Sequence, residues 1–147
     1  MEKIQSFTVD HTKITPGLYI SRVDGDVTTY DLRFVKPNKE TLDGASIHTM
    51  EHLFATYIRN TDLDVLYFGP MGCLTGFYLL VRNADHEKVW QEMKRVLESI
   101  AEFEGEIFGA SEIECGNYRY HNLSGAREMA KAYRAVLETP PALSYPE

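Results

Sequence analysis

The sequence predicts an α+β fold: one antiparallel β-sheet with about three α-helices packed on it, in a single domain spanning residues 1–147. Three observations predict it. Alternating stretches that read as strands are interleaved with three segments of helical periodicity, without the regular alternation of a parallel sheet. The length of 147 residues suits one ordinary domain. Hydrophobic residues make up 44% and charged residues 25%, with seven Phe and nine Tyr, which is core material rather than a disordered composition.

Residues 18–35 alternate in polarity on either side of Asp24-Gly25-Asp26 and read as a β-hairpin, ended by Pro37-Asn38. A helix is predicted over about 45–60, because Ile47, Met50, Leu53, Phe54, Tyr57 and Ile58 recur at helical spacing. Residues 63–68 and 76–81 read as two strands joined by a glycine-rich connection that carries Cys73. A second helix follows over about 85–103, with Asp85 as N-cap, Gly105 as stop, and a buried stripe of Val89, Met93, Val96, Leu97 and Ile100. Residues 111–120 are expected to be extended. A third helix over about 124–138 buries Ala126, Met129, Ala130, Tyr133, Val136 and Leu137, and Pro140-Pro141 stops it.

The formal charge is −7, with 15 Lys and Arg against 22 Asp and Glu, and no basic run occurs. That balance argues against a nucleic-acid partner. The longest apolar stretch is broken by Gly69, Pro70, Gly72, Thr75 and Gly76, short of the roughly 20 uninterrupted residues that span a bilayer. The first residues lack the apolar segment of an export signal, so a soluble, cytoplasmic protein without a membrane partner is expected. Only two cysteines occur, Cys73 and Cys115, and in that setting free thiols are expected rather than a disulfide.

The strongest chemical signal is His48-Thr49-Met50-Glu51-His52. On a helix, residues four apart project from one side, one turn apart, so both imidazoles can ligate one metal while Glu51 stands beside them as a general base. This is the H-x-x-E-H arrangement of inverted zinc hydrolases, and a metal-dependent hydrolase of a small peptide or amide is the alternative reading. The plainer reading is a helix that carries two surface histidines. Cys115, Cys73, His11, His86 and His121 are candidates for a third ligand. His86 lies on the polar side of its helix and reads as a solvated residue; His121 reads as a structural or exposed residue at a loop edge. Cys115 offers a soft thiolate suited to zinc or ferrous iron, or is simply a small buried residue. Cys73 sits between glycines that let the backbone approach a ligand closely; it is either a reactive thiol or an inert one.

Taken together, Ser6-Phe7 with Asp10-His11, Asp31-Leu32-Arg33-Phe34 followed by Pro37-Asn38, the His48–His52 block, Pro70-Met71-Gly72-Cys73 with Thr75-Gly76-Phe77-Tyr78, and Glu114-Cys115-Gly116 resemble the S-ribosylhomocysteine lyases, the LuxS or autoinducer-2 synthase family. The resemblance runs over nearly the whole chain. It implies that His48, His52 and Cys115 bind one divalent metal, Fe(II) in the native enzyme with Zn or Co as replacements. It also implies that Cys73 and Glu51 are the acid/base pair, and that Ser6, His11 and Arg33 hold or polarise the small-molecule substrate. The implied assembly is a homodimer with shared active sites. The implied reaction moves a carbonyl along the ribose and then eliminates homocysteine, leaving 4,5-dihydroxy-2,3-pentanedione, the autoinducer-2 precursor. Two positions depart from the family pattern: Tyr67 stands where many members carry an acid, and Gly69 where Ser is common.

Overall fold

The computed structural model describes residues 1–147. A 3-10 turn at Gln5–Phe7 precedes β1 (Gly17–Asp24), β2 (Val27–Arg33), α1 (Gly44–Arg59), β3 (Asp64–Pro70), β4 (Gly76–Arg82), α2 (His86–Ala101) and α3 (Leu123–Val136). The four strands form one sheet in the order β1-β2-β4-β3, antiparallel throughout. Each helix starts at a short polar side chain that satisfies an otherwise orphaned N–H. Asp43 accepts from Ser46 N at 3.1 Å, Asp85 from Lys88 N at 3.2 Å, and Asn122 from Gly125 N at 2.9 Å.

Strand side chains alternate between faces. Tyr30 and Leu32 of β2, Phe77, Leu79 and Val81 of β4, and Phe68 of β3 are buried in one core with the apolar stripes of the three helices. A row of rings crosses that core. Phe54 stacks on Phe68 (centroids 4.3 Å), Phe68 on Phe77 (5.0 Å), Phe77 meets Phe34 (5.0 Å), and Phe34 stacks on Tyr133 (4.0 Å). The row ties α1 to α3 through the sheet and fixes where the outer side of α1 points.

Most expected elements are present with their ends moved by one or two residues. The predicted stripe of α2 is buried throughout, while Met129 and Val136 of α3 are only half-buried at its edge. Two expectations fail. Residues 111–120 are a series of turns, not an extended piece. Ser111 starts them: its hydroxyl donates to Glu114 Oε1 at 2.6 Å, and its carbonyl accepts from Cys115 N at 3.0 Å. His86 is half-buried rather than freely solvated; its Nδ1 meets the hydroxyl of fully buried Tyr30 at 2.5 Å. A phenol buried in a core needs a polar partner, and the first residue of α2 supplies it.

Candidate active site

Helix α1 presents His48, Glu51 and His52 on the side away from its buried stripe. His48 Nδ1 donates to Tyr120 O and His52 Nδ1 to Phe108 O, each at 2.7 Å. A carbonyl can only accept, so both rings carry the proton on Nδ1 and aim a lone pair from Nε2. Such outer hydrogen bonds set tautomer and ring orientation in metal-ligating histidines. Cys115 Sγ lies 3.4 Å from His48 Nε2 and 3.8 Å from His52 Nε2. Tetrahedral ligation with metal–nitrogen and metal–sulfur bonds near 2.1 and 2.3 Å separates N from S by about 3.6 Å. The three donors therefore fit one ion.

His121 joins them, contrary to the loop-edge reading. Ligand atoms of His48, His52, Cys115 and His121 all lie within 4.8 Å of one another, a group that could hold a metal ion. The His121 ring stacks on His48 with centroids 4.0 Å apart. Its Nδ1 is 2.9 Å from Thr49 Oγ1, whose own hydrogen goes to Ala45 O, so this ring too leaves Nε2 as a lone pair. That Nε2 is buried without a partner. Burial, then the neighbouring His48 and His52, push the His121 pKa down to about 4, which keeps the ring neutral. The sequence offers His121 as a third-ligand candidate but reads it as a structural or exposed residue at a loop edge; the fold of the preceding turns brings it onto α1.

The second group surrounds Cys73. A hollow of about 340 Å³ is lined by Ser6, Phe7, His11, Arg33, Cys73 and Tyr78, with Pro70, Met71 and Gly72 forming one wall. The structure thus brings Ser6, His11, Arg33 and Cys73 of one chain together. His11 is oriented by its Nδ1 on Val9 O at 2.9 Å, and Lys36 Nζ anchors the segment behind it through Thr12 O and Ile14 O. Arg33 is buried against Asp31 through two bonds, 3.1 Å from Nε and 2.6 Å from Nη2. Burial works to lower the Arg33 pKa, but the Asp31 pair outweighs it and holds it above the ordinary value. Arg33 is a fixed cation here.

Glu51 and His48 line a neighbouring hollow of about 410 Å³ that shares Pro70, Met71 and Gly72 with the Cys73 pocket. The metal donors and the thiol thus lie on either side of one short wall. A larger hollow of about 730 Å³, lined by Phe108, Ser111, Glu114 and Tyr118, touches the donor cluster only through His121. At the departing positions, the ring end of exposed Tyr67 lies over Gly69, so a Cβ there would require that side chain to move.

Fold and donor set describe a class: an α+β protein in which a group of three imidazoles and one thiol that could hold a metal ion adjoins a cysteine pocket. The family model for S-ribosylhomocysteinase (LuxS) matches residues 4–140. The chain is 48% identical to the S-ribosylhomocysteine lyase of Desulfotalea psychrophila, across 99% of each chain. It is 45% identical to that of Finegoldia magna and 43% to that of Clostridium acetobutylicum, across the full length of both partners in each case. The chain belongs to the S-ribosylhomocysteinase family.

Proposed function

We propose that this protein cleaves the thioether of S-ribosylhomocysteine to homocysteine and 4,5-dihydroxy-2,3-pentanedione. The observation that carries the reading is the pairing of a metal-ligand trio with a cysteine pocket across the Pro70–Gly72 wall. A hydrolase using His48, His52 and Glu51 leaves that pocket without a role.

A thioether leaves readily only when its sulfur is β to a carbonyl, so the carbonyl must first migrate from C1 of the ribose to C3. His48, His52 and Cys115 would hold a divalent ion, which would supply Lewis-acid chemistry toward a sugar oxygen. Cys73 takes a proton from one carbon and returns it to the next, in two rounds. Glu51, facing the same wall from the donor side, moves protons between oxygens and then removes the proton whose loss expels the homocysteine thiolate. Arg33, Ser6 and His11 hold the sugar hydroxyls. Soft thiolate with imidazole suits Fe(II) as the native ion, with Zn or Co able to replace it.

We also assign a homodimer with shared active sites, in which the N-terminal segment and the outer sheet face meet the neighbour. The support is an apolar surface that one chain leaves uncovered: Phe7 is 68% exposed, Ile4 59% and Tyr67 51%. No helix is long and apolar enough to cross a membrane. Two unpaired cysteines suit a reducing, cytoplasmic setting, where the product would feed autoinducer-2 signalling. Incubating the anaerobically purified, metal-loaded protein with S-ribosylhomocysteine and a thiol reagent tests the reaction. Release of homocysteine supports it, and no release under those conditions rejects it.

A further inference from the structure

Beyond α3 the chain turns back over the sheet. Trp90 Nε1 donates to Leu137 O at 2.8 Å, and Ile20 N to Leu143 O at 2.7 Å, so the segment is strapped across the β1 edge. The ring of Tyr145 then stacks on Tyr19 with centroids 4.9 Å apart. Its hydroxyl donates to Asp31 Oδ2 at 2.7 Å.

We propose that Tyr145 is a positioning residue for the thiol pocket: it holds Asp31, and through Asp31 it aims Arg33 and Thr75 at Cys73. The bonds form one connected chain in which Asp31 accepts from both sides and Arg33 donates to both. Asp31 accepts from Tyr145 and from Arg33 Nε and Nη2. Arg33 Nη1 donates to Thr75 Oγ1 at 2.9 Å. With that oxygen occupied as an acceptor, the single Thr75 hydrogen is free for Cys73 Sγ at 3.1 Å.

Asp31 and Arg33 are two apart on β2 and share one face, so their forked pair can tilt as a unit on two flexible side chains. It is pinned at one end by Thr75, from the cysteine connection, and at the other by Tyr145, from the strap. Asp31 is 1% exposed, and a carboxylate that deeply buried requires its acceptor sites to be filled. Loss of the Tyr145 donor leaves one site empty and frees the pair to shift away from the thiol.

The inference rests on Cys73 as the proton-transfer group, and the test has a readout that needs no turnover. Tyr145→Phe keeps the ring stack and deletes only the donor. In the metal-loaded enzyme, metal content should stay near that of the parent, and the melting temperature should fall by only a few degrees, as one lost hydrogen bond implies. Alkylation of Cys73 by iodoacetamide at neutral pH, followed on its own peptide, should slow about five- to thirtyfold. With S-ribosylhomocysteine, kcat should fall by a similar factor while KM changes little. In a Thr75→Val background, which cuts the last link, the same substitution should have no further effect on alkylation. A Tyr145→Phe enzyme with parental alkylation rate, whatever its melting temperature, overturns the proposal. Slowed alkylation with no lyase activity in either protein would uphold the positioning role and overturn the lyase reading instead.

Discussion

Cys115 Sγ and His48 Nε2, 67 residues apart in the chain, lie 3.4 Å apart across the gap between a series of turns and helix α1. The turns at 111–122 bring the sulfur, His121 and the Tyr120 carbonyl to α1 together. One local structure thus supplies a donor, a neighbouring imidazole and the bond that orients His48.

Metal retention should separate these roles. His52 is braced by the Phe108 carbonyl and faces the sulfur at 3.8 Å, whereas His121 is braced by a hydroxyl. His52→Ala should lose most of the ion, a larger effect than the roughly ten- to hundredfold typical of an outer partner. His121→Asn should keep most of it. Metal analysis after dialysis, together with the absorption bands of the Co(II)-substituted protein, reads both; full occupancy in His52→Ala would reject the assignment.

Cys73 and Glu51 should fail at different steps. Cys73→Ala should keep its metal but lose both exchange of solvent deuterium into the sugar and homocysteine release. Glu51→Gln should keep its metal and let an isomerised sugar accumulate while release slows. Each loss should be on the order of a hundred- to ten-thousandfold. A Cys73→Ala protein with near-parental turnover would sink the mechanism.

Gly76 of β4 pairs with Arg33 of β2. A Cβ there would strike the Leu32 carbonyl oxygen and lie 3.1 Å from Arg33 Cα, both backbone atoms that cannot swing aside. Gly76→Ala should therefore destabilise the protein by roughly 2–4 kcal/mol in urea titration, the cost of overpacking a core backbone contact. An unchanged midpoint would show that the two strands can part without penalty.

The bulge in β3 between Val65 and Tyr67 leaves Leu66 and Tyr67 both exposed, and Phe7 of the N-terminal segment is exposed as well. Sedimentation should find a dimer, and Phe7→Glu should shift it toward monomer with a parallel loss of activity. A fully active monomer would remove the shared-site assembly.

The sequence by itself determined the elements and the local chemistry. Helical spacing placed His48, Glu51 and His52 on one side of α1 because 3.6-residue periodicity is set by the backbone alone. Asp85 marked its helix start for the same local reason. The block resemblance reached the family and singled out Cys115 as a candidate ligand, which spacing alone left open between donor and buried thiol. Only the tertiary structure decided what the 111–122 turns deliver. Nothing in a run of Ser, Glu, Gly, Asn and Tyr states its direction in space, so His121 was invisible as a neighbour of His48. The structure also decided the partners of groups remote in sequence: His86 on Tyr30, and Tyr145 on Asp31, 114 residues away. Both follow from burial leaving a polar group that only a distant part of the chain could satisfy.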